Sequence, residues 1–311
     1  MLPDNNRVIL IVGPTAVGKT GFAIKMAKRV GGEIISADSR YLYRGMDIGT
    51  AKPTPEERST IPHHMINVAD PDETWSLSAY IKKTLDLIDE IHNRRNTPLV
   101  VGGTGQYIRA LTEGWRIPEM VPDEALRKVL IELGDQIGSV ELHRKLSILD
   151  SEAANFIDAT NIRRTLRALE VIFTTGKRFS ELRVKDGPVH DYWIIGLTIP
   201  RSELFERADK RVDQMFLDGL VAEVQQLLDL GYDPMLPSMS AIGYKEVILY
   251  LQGEITLEAA RQLIKKNTHQ YIRRQANWFK PTDPNIHWYQ MDPYPLEMVL
   301  SDLEREKKGL P

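Results

Sequence analysis

Gly13-Pro14-Thr15-Ala16-Val17-Gly18-Lys19-Thr20 is a complete G-x-x-x-x-G-K-[ST] phosphate-binding loop. Directly before it, residues 8–12 are uniformly apolar and mostly β-branched, which predicts a buried parallel strand. After it, apolar residues recur at three- and four-residue spacing as far as Gly31, which predicts a helix that ends at this glycine. The loop therefore lies between a strand and a helix, as a phosphate-binding loop requires.

The residue types of this loop predict a site for two linked phosphates. Successive backbone N–H groups and the positive end of the helix dipole attract an anion, and Lys19 adds a cation. We expect residues 13–20 to bind the diphosphate and the Thr20 hydroxyl to hold Mg²⁺. The motif also occurs in ATP-binding proteins, so the loop alone does not say whether the diphosphate belongs to a nucleotide.

Composition limits the class of protein. The chain has 311 residues, of which 42% are hydrophobic and 27% charged, as is usual for a globular protein with room for two domains. No apolar run is long enough for a membrane helix, and the N-terminus lacks the features of a signal peptide, so we expect a cytoplasmic protein. The absence of cysteine excludes disulfides, cysteine-ligated zinc and thiol nucleophiles.

Two more strand ends should lie beside the loop. Residues 33–37 predict a strand that ends at Asp38, and residues 99–101 predict one that continues into Gly102-Gly103-Thr104. Ligands of open parallel sheets bind at the carboxyl ends of strands, so Asp38 and Thr104 should face the phosphate site. Between these strands, residues 49–55 and 62–68 predict no regular structure, and His63-His64 is interpreted as a loop pair that contacts substrate or caps backbone.

The remaining pattern predicts an α/β fold, a P-loop parallel sheet flanked by helices, with an inserted all-helical domain. Residues 76–95 form an amphipathic helix, and a strand at 191–198 resumes the sheet after a long stretch with only helical patterns. We therefore assign 1–114 and 190–311 to a discontinuous core domain and 115–189 to the insertion. Helical segments follow at 201–230, 240–252 and 256–280, and then a mostly charged terminal helix.

The distribution of charge favours a polyanionic partner in spite of a net charge of −3. Residues 161–187 contain seven Lys or Arg and three acids, and residues 258–280 contain six and one. Local basic patches of this kind can bind a phosphate backbone even when the whole chain is acidic.

The residues that follow the predicted strand at 99–101 argue against a kinase or motor. Those proteins usually hold Mg²⁺ with an acid at the end of an apolar strand, and here the strand at 99–101 ends in two glycines. Asp38 is the nearest acid, and Ser39-Arg40-Tyr41 after it are residues suited to hold a substrate. A small-molecule kinase is disfavoured but stays open.

Seven motifs in order resemble the bacterial tRNA dimethylallyltransferases over residues 8–280. They are Gly-Pro-Thr-Ala-Val-Gly-Lys-Thr, Ser-Ala-Asp-Ser-Arg, Gly-Thr-Ala-Lys-Pro, Pro-His-His, Val-Gly-Gly-Thr-Gly-Gln-Tyr, Asn-Ile-Arg-Arg-Thr-Leu-Arg-Ala-Leu-Glu and Ala-Ile-Gly-Tyr-Lys-Glu. The resemblance implies transfer of a dimethylallyl group from dimethylallyl diphosphate to N6 of the adenosine that follows the anticodon of a tRNA, with release of diphosphate. It also implies Mg²⁺ as cofactor, and we expect a monomer that acts without a membrane.

The resemblance assigns roles to individual residues. Asp38 would be the general base for the adenine amine, Lys19 would stabilise the leaving diphosphate, and Thr104 would approach the target nucleotide. The tRNA-binding residues it implies are Asp38, Ser39, Arg40, Tyr41, Thr104, Arg127, Arg163, Arg164, Tyr244 and Lys245. Lys265, Lys266, Arg273 and Arg274 are interpreted as a stripe that positions phosphates.

Three alternatives stay open beside this interpretation. An isopentenyltransferase that acts on free AMP, ADP or ATP would share the loop and Asp38, although it would have little use for the insertion or the basic helix. The others are the kinase and a non-catalytic, nucleotide-dependent RNA-binding module.

Overall fold

The apolar run before the phosphate-binding loop forms a central strand with five buried residues, Val8 to Val12. A computed structural model describes residues 7–117, 123–182 and 185–307. In chain order the elements are β1 (Arg7–Val12), α1 (Lys19–Val30), β2 (Gly32–Ser36), α2 (Pro55–Thr60), β3 (His63–His64), α3 (Leu77–Asn93), β4 (Thr97–Val101), α4 (Gly105–Thr112), α5 (Glu124–Ile137), α6 (Ser139–Leu149), α7 (Ser151–Phe156), α8 (Ile162–Thr175), β5 (Asp191–Thr198), α9 (Arg201–Leu217), α10 (Leu220–Asp229), α11 (Tyr244–Leu251), α12 (Leu257–Gln275), β6 (Ile286–Gln290) and α13 (Leu296–Lys307).

These strands form one parallel sheet in the order β3-β2-β4-β1-β5-β6. β1 lies between β4 and β5, with Ile9 opposite Leu99 and Trp193. Strands that are buried on both faces need continuous apolar runs, as β1 and β4 have. The carboxyl ends of β1, β2 and β4 therefore meet at one edge, and the predicted α/β fold is confirmed.

Three segments differ from the sequence prediction. α2, for which we predict no helix, occupies the interval between the two segments predicted to be irregular, and its start is capped reciprocally by Thr54 and Glu57. β3 lies within the second of these segments and pairs with β2. The segment 201–230 is divided into α9 and α10 at Gly219, where φ is 101°. The five residues of β6, for which we predict no strand, complete the sheet beside β5.

The chain folds into two compact units. The first contains residues 7–76, 80–112 and 189–307 and holds the sheet, whose core packs apolar residues of β1, β4 and β5 against α1, α9 and α13. The second contains residues 77–79, 113–117, 123–182 and 185–188 and has its own core, formed by α5 to α8 around Leu130, Leu142, Leu146 and Leu169. Each unit thus buries a separate set of apolar side chains. Over the residues described above, no helix combines the length and apolar character that a membrane crossing needs.

Candidate active site

A cavity of about 310 Å³ opens at the edge where β1, β2 and β4 end. Its polar wall includes Lys19, Thr20, Asp38, Tyr41, Arg211 and Gln275. Its apolar wall includes Ala23, Ile34, Ile66 and Val101. This volume lies at the lower end of the range for small-molecule pockets, so a compact ligand is expected.

The phosphate-binding loop curls around the side chain of its own lysine. Gly13 has φ 145° and a Cβ there would stand 2.6 Å from the carbonyl oxygen of Leu197, so glycine is required by both conformation and space. The Lys19 ammonium donates to the carbonyl oxygens of Gly13 at 3.0 Å and Pro14 at 2.8 Å. α1 begins at Lys19 itself, so the N–H groups of its first turn are left for an anion.

Burial changes the chemistry of Lys19. Loss of hydration lowers the pKa of its ammonium from 10.5 to about 8, the carboxylate of Asp38 opposes this shift, and the cation of Arg211 adds to it. Two cations, Lys19 and Arg211, and two carboxylates, Asp38 and Glu57, therefore line the cavity. Lys19 and Arg211 lie close enough for their charges to repel, and such a pair of cations is suited to a ligand with several negative charges.

Asp38 follows β2 and lines this cavity. Its Oδ1 accepts the backbone N–H of Arg40 at 2.9 Å, and its carbonyl oxygen accepts that of Tyr41 at 3.2 Å, so the segment after Asp38 is a turn. Thr104 is placed beside this turn, because its Oγ1 accepts the N–H of Ser39 at 3.3 Å and its own N–H donates to Ala37 at 3.2 Å. The structure thus brings Asp38 and Thr104 together at neighbouring strand ends.

The glycines after β4 permit this approach. A Cβ on Gly102 would lie 2.2 Å from the carbonyl oxygen of Ala37, and one on Gly103 would lie 2.2 Å from Nε2 of Gln275. Both glycines line the cavity, where an acidic residue would hold Mg²⁺ in many other P-loop proteins. The hydroxyl of Thr20, at the start of α1, also lines the cavity and is an oxygen ligand of the type that Mg²⁺ prefers.

Three polar residues of the cavity come from helices α9 and α12, and the sequence analysis predicts none of them as site residues. Arg211 of α9 donates through Nη2 to Thr15 Oγ1 at 2.8 Å, and burial lowers the pKa of its guanidinium. Gln275, the last residue of α12, accepts the N–H of Thr15 at 2.8 Å and donates to the carbonyl oxygen of Gly103 at 3.1 Å. Burial, and then the charge of Asp38, raise the pKa of Tyr271, so its hydroxyl keeps its proton beside the carboxylate.

The sequence does contain a feature that marks two of these residues as unusual. Gln275 and Arg211 are polar residues on helix faces whose neighbours one turn away are apolar, such as Ile272 before Gln275 and Ala208 before Arg211. A polar side chain on an apolar face is either satisfied in the core or directed into a site. Gln275 also affects the predicted diphosphate site. The backbone N–H of Thr15, one of the donors expected for the diphosphate, donates to the Gln275 side chain instead.

The other residues implied by the resemblance lie in several places. The Arg40 guanidinium donates to the carbonyl oxygen of Pro237 at 2.9 Å, and the Tyr41 hydroxyl donates to that of Ala51 at 2.7 Å. In the helical unit, Arg163 and Arg164 are exposed on α8, and Arg127 on α5 lies 3.9 Å from a carboxylate oxygen of Glu170. Of Arg40 and Tyr41, which belong to the first unit, Tyr41 lines the cavity.

Tyr244 is a correction to the expected tRNA contacts. Its side chain is fully buried and its hydroxyl donates to Oε1 of Glu223 at 2.6 Å, so it has no surface to offer a nucleic acid. Lys245, the next residue, is exposed.

His63 and His64, which the sequence analysis interprets as a loop pair, are not in a loop. They form β3, where His63 lines the cavity and His64 binds the carboxylate of Glu33 at 2.7 Å.

The fold and this cavity define a P-loop α/β protein in which an anion-binding loop faces a carboxylate. The family model described as IPP transferase matches residues 41–282, and one described as isopentenyl transferase matches residues 6–67. A tRNA dimethylallyltransferase from Thermomicrobium roseum is 47% identical over 284 residues, which cover 91% of this chain and 86% of the relative. One from a Roseiflexus species is 44% identical and covers 96% and 98%. The chain belongs to the tRNA dimethylallyltransferase (IPP transferase) family and is a transferase.

Solved structures agree with this assignment. The tRNA isopentenylpyrophosphate transferase of Bacillus halodurans is similar with a TM-score of 0.72 at 40% identity, covering 98% of both chains. A eukaryotic dimethylallyltransferase, whose structures describe its action on tRNA, has a TM-score of 0.81 at 26% identity and covers 98% of this chain and 80% of that one.

Proposed function

We propose that this enzyme transfers the dimethylallyl group of dimethylallyl diphosphate to N6 of the adenosine on the 3′ side of a tRNA anticodon and releases diphosphate. Its relatives carry the name of that activity. The observation that supports it best is that Lys19, Arg211 and Asp38 line a single cavity of about 310 Å³. Groups suited to leaving-group stabilisation and to proton removal would therefore act within one small site.

The cationic side of the cavity would hold the diphosphate. The first turn of α1 and the ammonium of Lys19 present donors to it, and Arg211 presents a buried guanidinium whose Nη2 is held by Thr15. When the bond between the allylic carbon and oxygen breaks, its electron pair stays on the leaving diphosphate. Donors that are already oriented toward this developing charge stabilise the transition state without reorganisation.

The apolar side would hold the isoprenoid chain. Ala23, Ile34, Ile66 and Val101 line the same cavity as the cations. Burial of a five-carbon group there removes apolar surface from water and so contributes to binding without hydrogen bonds. The short length of the chain is consistent with the small size of the cavity.

Asp38 would act on the nucleophile. The exocyclic amine of adenine is a weak nucleophile because its lone pair is delocalised into the ring, so a base must take a proton as the new N–C bond forms. One oxygen of Asp38 is held by the N–H of Arg40, which orients the carboxylate. Thr104, at the neighbouring strand end, would contact the target nucleotide.

The hydroxyl of Thr20 would hold Mg²⁺. It lines the cavity, and its oxygen matches the ligand chemistry of this ion. When bound, Mg²⁺ would neutralise charge on the diphosphate.

Exposed cations would bind the tRNA backbone. Arg163 and Arg164 on α8 are exposed, and so are Lys266 and Arg274 on α12. By contrast, the Lys265 ammonium forms an ion pair with Oδ1 of Asp213 at 2.7 Å. Binding through phosphates releases counterions, so the affinity for tRNA should fall steeply as salt is raised. A flat response to salt would contradict this assignment.

We further propose that the enzyme acts as a monomer in the cytoplasm.

The decisive experiment is a comparison of acceptors. The enzyme is incubated with Mg²⁺, labelled dimethylallyl diphosphate and, separately, unmodified tRNA, AMP and ATP. Label in tRNA alone supports the proposal, and a tRNA with guanosine in place of the target adenosine is the matched control. Label in AMP or ATP would favour a nucleotide isopentenyltransferase, and phosphoryl transfer from ATP would favour a kinase.

A further inference from the structure

A second cluster of chemically reactive side chains lies outside the cavity, in the first unit. Asp89 and His92 are three residues apart on α3, so they project from the same face of the helix. His190 immediately precedes β5. One ligand atom from each of these three residues lies within 4.8 Å of the other two. The proposed transfer reaction uses none of them.

His190 is the unusual member of this cluster. The residue is 8% exposed, and its Nε2 has no hydrogen-bond partner among the described residues. The nearest acid is Asp89, whose Oδ1 is 3.6 Å from that nitrogen, beyond hydrogen-bonding distance. A buried imidazole nitrogen without a partner is uncommon in folded proteins, and it points to a ligand.

We propose that Asp89, His92 and His190 form a binding site for a transition-metal ion of the zinc class. Two imidazole nitrogens with one carboxylate oxygen are a ligand set that suits Zn²⁺, whereas Mg²⁺ and Ca²⁺ prefer oxygen ligands alone. Three protein ligands leave the fourth tetrahedral position to water.

The separation between Asp89 and His190 already suits a zinc ion, and the ligand atom of His92 lies within 4.8 Å of both. Ligand atoms at zinc distances in a tetrahedral site are separated by about 3.3 Å, close to the 3.6 Å between Asp89 and His190. The side chain of Asp89 is 66% exposed and can turn inward. Nε2 of His92 approaches the carbonyl oxygen of Arg7 only at 3.5 Å, so its ring is weakly held.

The charge state of the site also favours a cation. Burial lowers the pKa of His190, the carboxylate of Asp89 opposes this shift, and the imidazole of His92 adds to it. The ring is therefore neutral near pH 7, which is the form that binds a metal.

The test is a titration of the purified full-length protein with Co²⁺, which reports tetrahedral coordination through its visible d–d absorption. Excess Mg²⁺ is present so that oxygen-only sites are occupied. The wild-type protein is expected to bind one Co²⁺ per chain with strong d–d bands, and Zn²⁺ should displace it. Asp89→Asn, at an exposed position, and His190→Gln should each weaken binding by more than the roughly 10–100-fold expected for the loss of a second-shell partner.

His269→Gln is the matched control. His269 also binds a carboxylate, Oδ1 of Asp209 at 2.8 Å, but over the described chain this pair belongs to no group of three such ligands. The control should bind Co²⁺ as the wild type does. A wild-type protein without d–d bands, or bands that persist unchanged in Asp89→Asn, would overturn the assignment.

Discussion

The ammonium of Lys19 is maintained in the cavity at the expense of folding stability. Its pKa is about 8 in the folded protein, against 10.5 for a hydrated lysine. The unfolded chain therefore binds this proton more tightly than the folded one. Since one pH unit of pKa difference equals 1.36 kcal/mol, the charged form costs the folded state about 3 kcal/mol below pH 8. The cost decreases as the pH rises from 8 toward 10.5.

Replacement of this lysine by methionine measures that cost. Lys19→Met removes the titrating group while keeping a long side chain, although the carbonyl oxygens of Gly13 and Pro14 lose their donor. The loss of hydrogen bonds does not depend on pH, whereas the charge term does. The unfolding free energy of the wild type minus that of the variant should therefore rise by about 2 kcal/mol between about pH 7 and about pH 10.

Urea unfolding at the two pH values is the assay, and Lys210→Met is the matched control. Lys210 is largely exposed on α9 and is paired with Glu206, so its removal reports effects that are common to the loss of any lysine. A wild-type-minus-Lys19→Met difference that does not change with pH, relative to this control, would refute the argument from burial.

The same titration should appear in catalysis. If the charged ammonium is needed to bind the diphosphate, kcat/KM for dimethylallyl diphosphate should fall above about pH 8, by up to about tenfold per pH unit. The bound diphosphate favours the charged lysine, so kcat should be less sensitive to pH than kcat/KM. A kcat/KM that stays constant through this pH range would show that Lys19 acts without its charge.

Further predictions concern the other groups of the cavity. Asp38→Asn keeps the acceptor for the Arg40 N–H and should lower single-turnover transfer by about 10²–10⁴-fold with unchanged binding of dimethylallyl diphosphate; near-normal turnover would remove Asp38 from the mechanism. Arg211→Gln should lower kcat/KM for dimethylallyl diphosphate by about 10²–10³-fold while the Kd for tRNA stays the same, and equal losses in both would indicate a general structural role. Gly103→Ala places a methyl group 2.2 Å from Gln275 Nε2 and should reduce the unfolding free energy by about 1–3 kcal/mol, whereas the control Gly21→Ala meets nothing within 4 Å; equal stabilities would contradict the contact.

The parts of the fold that could be predicted are those whose cause is local. β1, the loop and α1 follow from an apolar run, a motif and a helical period within about 25 residues of one another, and all three lie where the sequence indicates. β3 could not be found in this way because its two residues, His63 and His64, have no periodicity and become a strand only by pairing with β2. The same reason applies to β6, which is ordered by its neighbour β5.

The candidate site shows the same division between local and distant causes. Asp38, Lys19 and Thr20 could be predicted because each follows a strand or belongs to the loop, and the ends of parallel strands converge. Arg211 reaches Thr15 from 196 positions away in the chain, and that relation depends on how α9 packs on the sheet. No sequence period encodes it, although the position of a cation among apolar neighbours marks it as unusual.

Gln275 links a part of the site that the sequence predicts, the phosphate-binding loop, to a packing contact that it does not predict. Its side chain holds the N–H of Thr15 in the phosphate-binding loop and the carbonyl oxygen of Gly103 after β4, and it is 3% exposed. On sequence grounds, the glycine pair after β4 disfavours a kinase. The structure explains why glycine is needed at Gly103, because any Cβ there would collide with the amide of Gln275. An acid at that strand end is therefore sterically incompatible with the amide that braces the loop. The glycine at this strand end is thus compatible with the proposed reaction, in which Asp38 and not an acid after β4 acts on the incoming nucleophile.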